Sequence, residues 1–380
     1  MAGVPKLSRR TRWAIPVGAL VITGAVLAGS LISVAQASPG LPSRTPAQLL
    51  AQVADSVTPP LTGTVVETTS LGLPSLPGTA NPTSIASLLT GSHTVRVWYS
   101  GPRHFRLAVP EPLSETDVIA DGNTAWVWES TANTVTEYSL PADSSAPRTA
   151  PTTAPLTPQQ AAQQVLAAVG QTTTVRVDSN VTVAGQPAYE LVLAPKDSRS
   201  LVGQVQIAID GKNGVPLRLQ VYARGASSPA FQVGYTSIQF VTPAPADLTF
   251  TPPPGATVTH ENLSAPSGSD HIRGDVSTIG SGWLAVLDLP SAGLTAPGGS
   301  GSGNNASGDS AAGDSAAVLK ALLASATPVS GAWGSGRLLR TSLVTVLITD
   351  SGRMFVGAVQ PSVLYAAAGR AATPSSSTAP

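Results

Sequence analysis

Apolar and polar positions alternate along most of this chain. Val95, Val97 and Tyr99 fall on one side of an extended segment, and Arg96 and Trp98 fall on the other. Phe105, Leu107 and Val109 alternate with Arg106 and Ala108. Val205, Ile207 and Ile209 alternate with Gln204, Gln206 and Ala208, and Leu217, Leu219 and Val221 with Arg218 and Gln220. A period of two puts apolar side chains on one face of a sheet and polar ones on the other, the pattern of antiparallel strands covered on one side. Strands are expected at 61–71, 95–99, 105–109, 116–120, 124–129 and 135–140. Five more are expected at 172–178, 187–194, 203–210, 215–223 and 230–240. Gly101-Pro102, Asp121-Gly122 and Asp210-Gly211-Lys212-Asn213-Gly214 supply the turns. Leu248-Thr249-Phe250 reads as one more strand, stopped by the prolines at 252–254.

Helical spacing is rarer. Thr45 caps a helix with Pro46 at its first position, and Leu49, Leu50, Val53 and Val57 share one side of it. Thr157-Pro158 opens a second helix carrying Ala161, Val165, Leu166 and Val169. Short helices fit 85–89 and 318–323. A sheet of about ten strands with so few helices has to curl and be covered on its apolar side. Near the C-terminus, 338–349, Asp350-Ser351-Gly352 and 353–359 read as a hairpin that packs on or extends the main sheet.

Composition narrows the classes. Lys plus Arg number 21 and Asp plus Glu 21, so no global field favours nucleic acid. There is no cysteine, which excludes disulfides, zinc thiolates, thiol nucleophiles and a lipid-modified N-terminal cysteine. Lys6, Arg9, Arg10 and Arg12 precede an uncharged run over 14–35 that ends in Ala35-Gln36-Ala37. That is a signal peptide or an uncleaved anchor over 1–37, and either one places the rest outside the cytoplasm. The expected division is then a half-barrel over 38–263 and, over 264–317, a partly structured stretch followed by a Gly/Ser-rich linker. A helix with the hairpin follows over 318–366, and a disordered tail over 367–380.

Catalytic constellations are missing from the sequence. His93, His104, His260 and His271 are isolated and read as surface or loop residues. No H-E-x-x-H pair, nucleophile elbow, phosphate loop or calcium loop occurs. The expectation is a chain that is not an enzyme, with no catalytic residue, metal set or cofactor. Arg96, Arg103 and Arg106 with His104 form a small basic cluster, read as a solvated strand face or a contact for lipid headgroups.

Four motifs in order resemble the LolA/LolB/RseB group of lipoprotein-binding half-barrels. They are the aromatic strand and proline turn at 95–102, Asp121-Gly122 with Trp126 and Trp128, Gly185 to Leu191 with Tyr189 and Pro195, and Phe250-Thr251-Pro252-Pro253-Pro254-Gly255. The resemblance spans 45 to about 260. It implies an incomplete antiparallel β-barrel, mainly β with helices covering an apolar concavity that holds acyl chains. It implies lipid or lipoprotein acyl chains as partner, with Trp98, Phe105, Trp126, Trp128 and Tyr189 lining the cavity. The carriers have an Arg just before the strand-ending proline. This chain has Gly101 there and Arg103 two residues on, which favours binding over a LolA-style shuttle and leaves Arg103 as a headgroup or lid contact. Two alternatives stand beside the binder. One is an RseB-like regulator whose C-terminal segment meets a membrane-bound anti-sigma factor, and the other is a structural protein of the cell envelope. The Ala-, Gly- and Pro-rich composition fits a high-GC, actinobacterial source.

Overall fold

In the computed structural model the described residues are 40–73, 90–140, most of 163–262, 276–291 and most of 321–372. The expected signal or anchor, the helix at 85–89 and the linkers at 141–157 and 292–317 lie outside them. Of the helix expected at 158–169, positions 163, 166, 167 and 169 are described and helical.

The chain enters through helix α1 (Pro46–Asp55). Its start follows from local chemistry. The Gln48 amide donates to Thr45 Oγ1 at 3.3 Å and the Thr45 amide donates to Gln48 Oε1 at 2.8 Å, so two unsatisfied backbone donors are served reciprocally. Twelve strands follow: β1 (Leu61–Ser70), β2 (Thr90–Gly101), β3 (His104–Pro110), β4 (Glu115–Asp121), β5 (Thr124–Glu129), β6 (Thr134–Ser139), β7 (Thr173–Val177), β8 (Val181–Val183), β9 (Gln186–Pro195), β10 (Val202–Asp210), β11 (Pro216–Ala223) and β12 (Pro229–Gln239). The one-turn helix α2 (Pro245–Leu248) and strand β13 (Thr257–Asn262) complete this part. The expected strand at 248–250 is thus absent. Proline at the first helical position starts a turn there instead, and the strand forms after the proline block.

The thirteen strands make one open sheet in the order β13-β6-β5-β4-β3-β2-β1-β12-β11-β10-β9-β7, with β8 also on β9. Every pairing is antiparallel except that of β13 with β6. The sheet curves without closing. Side chains of β1, β2 and β3 (Leu61, Val97, Val109) share one core with Leu217 of β11 and Ile238 of β12, all from the same face. That face is called the inner face.

A second sheet is separate. Strands β14 (Ser277–Ile279), β15 (Val286–Pro290), β16 (Thr327–Gly331), β17 (Gly334–Arg340), β18 (Thr345–Thr349) and β19 (Arg353–Gly357) pair in the order β14-β15-β19-β18-β17-β16, and helix α3 (Pro361–Ala372) packs on them. This corrects two expectations. The hairpin does not extend the main sheet, because β15 pairs with β19 and gives it a sheet of its own. Residues 367–372 are helix rather than tail, because Leu364, Ala367 and Ala368 bury against Leu347 and Phe355.

The two sheets meet at one end of the curve. The Leu201 amide donates to the Ala358 carbonyl at 2.9 Å, the Gln360 amide to Arg199 at 2.8 Å and the Ser342 amide to Leu71 at 2.9 Å. Leu343, Val344 and Trp283 pack on Val205, Val221 and Phe231 of the main sheet.

Candidate functional site: the inner face of the curved sheet

Register turns the alternation of the sequence into rows of side chains that cross the strands. One inner row runs Val177–Leu191–Ile207–Leu219–Val233 over β7, β9, β10, β11 and β12. A second runs Val97–Leu107–Val118–Val127 over β2 to β5. Leu107, Val118, Val127, Ile207, Leu219 and Val233 are only half-buried. The outer face has a different character in its middle, where Arg176, Gln206, Gln220, Gln232 and Thr68 share a row with Val192. An apolar inside against a polar outside is what a face built for an apolar guest requires, since each Å² of apolar surface taken out of water gives about 25 cal/mol.

The inner row does not stay apolar. Beyond Val233 it continues into Glu67 on β1 and His93 on β2. Glu67 is 8% exposed and His93 3%. Thr69 donates to Glu67 Oε1, while Glu67 Oε2 has no hydrogen-bond partner and stands 3.8 Å from His93 Nε2. Burial pushes the Glu67 carboxyl above the usual carboxylate range, against the pull of Thr69 and His93. The expectation of a surface or loop His93 is corrected here, because the imidazole lies inside the sheet.

The six residues singled out from sequence do not share one place. Trp98, Trp126 and Trp128 stand on the outer face. Trp98, Arg106, Ile119, Trp126 and Glu137 form one row there, and Asp117 and Trp128 pair beside it. Phe250 lies against both tryptophans of β5, with ring centroids 6.0 Å from Trp126 and 6.5 Å from Trp128. The Arg106 guanidinium lies over the Trp98 ring at 5.5 Å. Phe105 is on the inner face, paired with Tyr99. Tyr189 is 1% exposed; its hydroxyl donates to Pro42 O at 2.8 Å, and Arg44 covers its ring at 5.7 Å. Arg103 Nη1 donates to Asn123 Oδ1 at 2.8 Å and to Gly122 O at 3.3 Å, which ties the β2–β3 turn to the β4–β5 turn. The expectation of five aromatics in one concavity therefore fails on register: residues of even number on β2 and β5 face out.

On the outer side, Asp117 is fully buried beside Arg106, with Glu115 nearby. Burial pushes its carboxyl up to about 6, although Arg106 pulls it down. A separate cleft of about 580 Å³ is lined by Trp283, Leu284, Val286 and Arg370 together with Lys196 and Arg199 of the main-sheet part. The Trp283 indole donates to Thr173 Oγ1 at 2.7 Å, and hydrogen bonds from Arg199 hold the Asp197 carboxyl down at about 2. Among the described residues no three His, Asp or Glu side chains are grouped to hold a metal ion, and no helix is long and apolar enough to cross a membrane.

The described fold is an open curved sheet with a hairpin turn at Asp121-Gly122 and the Phe250–Gly255 segment beside the aromatic strand. No protein-family model matches the chain, and no curated protein matches it. Among solved structures it is similar to the Pseudomonas aeruginosa MucA/MucB complex, at 15% identity over 84% of this chain and 95% of that one, with a TM-score of 0.40. It is similar to an uncharacterized conserved protein from Thermus thermophilus, at 13% identity over 56% of this chain and 98% of that one, with a TM-score of 0.32. A LolA superfamily protein from Nitrosomonas europaea matches at 12% identity over 55% of this chain and 99% of that one, with a TM-score of 0.21. At these TM-scores the description of the fold rests on strand order and register.

Proposed function

We propose that the chain binds a hydrophobic ligand, the acyl chains of a lipid or lipoprotein, on the inner face of its curved sheet, outside the cytoplasm and without catalysis. The observation that carries this is the row Val177–Leu191–Ile207–Leu219–Val233, which is apolar across five strands while its central members remain half-exposed. A contiguous apolar row left partly exposed is the kind of surface that takes an apolar guest. The N-terminal sequence, basic and then uncharged over 14–35, supports export. The test is to express the full chain by export, purify it without detergent, and identify organic-extractable lipid by mass spectrometry. Lipid at about one equivalent or more is expected. Empty protein that takes up no added lipid would overturn the reading.

The RseB-like alternative gains one observation. The C-terminal part has its own sheet and its own core around Phe355 and Leu347, enough to offer a partner a surface that the half-barrel lacks. Pull-down of a membrane-bound anti-sigma factor by the full chain, lost when 276–372 is deleted, would favour that reading over simple carriage.

A further inference from the structure

We propose that Glu67 and His93 select the head of the bound lipid, and that this head is a hydrogen-bond donor such as a hydroxyl, amide or ammonium rather than a carboxylate or phosphate. The inference rests on the inner-face reading above and deepens it. The apolar row from Val177 to Val233 crosses five strands, roughly 19 Å at ~4.8 Å per strand, the span of a long acyl chain. The next two positions in the same row are Glu67 and His93. A chain lying along the row therefore ends at the one polar pair in line with it.

The chemistry of that pair defines what it recognises. Glu67 Oε1 is served by the Thr69 hydroxyl. Glu67 Oε2 is buried with no hydrogen-bond partner, and at 3.8 Å the His93 ring is outside hydrogen-bond reach. A buried acceptor left unpaired costs free energy that a donor would recover. An anionic head would have to be buried beside the Glu67 carboxyl in an apolar wall, where it is poorly solvated. A hydroxyl, amide or ammonium donates to Oε2 and relieves both problems. No other arrangement on this row rewards a polar end, since the opposite end is Val177 and Leu191.

The experiment compares 1-palmitoylglycerol with palmitate at fixed pH 7.5, binding each to the full-length, delipidated protein by isothermal titration. Wild type is expected to prefer the glyceride by at least tenfold. Glu67→Val removes the acceptor and extends the apolar row. It should abolish that preference while leaving palmitate bound at least as tightly as in wild type. Glu67→Gln keeps an acceptor oxygen and should retain part of the preference, which separates head selection from a change in fold. Binding of both ligands by wild type without preference, or a preference unchanged in Glu67→Val, would overturn the role of Glu67 and leave the inner-face reading intact. Binding of neither ligand would overturn both.

Discussion

The ring of Phe250 stands 6.0 Å from that of Trp126, on the side of β5 that faces away from the apolar interior of the sheet. The segment after β12 is folded back over β3 and β4 and uses Phe250 to hold the aromatic strand from outside. Phe250→Ala is therefore expected to lower stability by about 2 kcal/mol, less than the 3–5 of a fully buried Phe because the ring is half-exposed. Urea unfolding measures the loss. Lipid content of the same preparation should be unchanged; a parallel fall in lipid would mean that the outer aromatics belong to the ligand site after all.

That relationship shows where sequence reading succeeds and where it stops. The alternation of Val205, Ile207 and Ile209 and the turn at Asp210–Gly214 were sufficient to place β10 and β11, because local pattern and local turn chemistry determine a hairpin. The same alternation puts Trp98 opposite Val97, so its outward direction was legible too. Glu67 and His93 carried a readable signal as well: each is a polar residue at the parity of Val65 and Val95. What no local pattern carries is a partner far away in the chain. β13 pairs in parallel with β6 more than a hundred residues earlier, and β15 finds β19 across a Gly- and Ser-rich stretch. Leu343 interrupts what looks like one strand over 338–349 because it turns to pack on Val202 and Ala230 of the other sheet.

Asp117 gives the protein a pH dependence of definite sign. Burial raises its carboxyl from 3.8 to about 6, so the folded state takes up this proton more readily than the unfolded chain. The stability it contributes is fully present below about 3.8 and is lost as pH rises through about 6. Asp117→Asn keeps the shape and removes the titration. The stability of wild type relative to this variant is therefore expected to fall between pH 4 and pH 7, by at most about 3 kcal/mol. Denaturant midpoints at half-unit steps check it. A difference that stays flat, or rises with pH, would show that Arg106 holds the carboxylate charged throughout.

Leu343 is one of the residues that join the two sheets. Leu343 is 8% exposed and packs on Val202 and Ala230. Truncation to Ala is expected to cost about 2–3 kcal/mol at the junction by cavity formation. The effect should be local. Hydrogen exchange at the Leu201 and Gln360 amides, which bridge the sheets, should quicken at least tenfold, while amides of β18 and β19 around Phe355 stay protected. Uniform deprotection of the second sheet would mean that its own core does not stand without the junction.

The inner and outer faces can be told apart with two substitutions. Leu219 lies mid-row on β11, paired with Ile207 and Val233, and its half-exposure places it where an acyl chain would lie. Leu219→Asn puts an amide into that row, and burying it against a chain without a hydrogen-bond partner costs about 1–3 kcal/mol. Lipid affinity should fall about tenfold, since 1.4 kcal/mol is a factor of ten, and the lipid retained through purification should fall with it. Trp128 removes far more apolar area when cut to Ala, yet it stands outside, against Phe250. Trp128→Ala should lose more stability than Leu219→Asn and keep its lipid. The two readouts, stability and extractable lipid per protein, must therefore order the variants oppositely. If they order them alike, lipid loss merely reports unfolding and the inner row has no claim as the binding face.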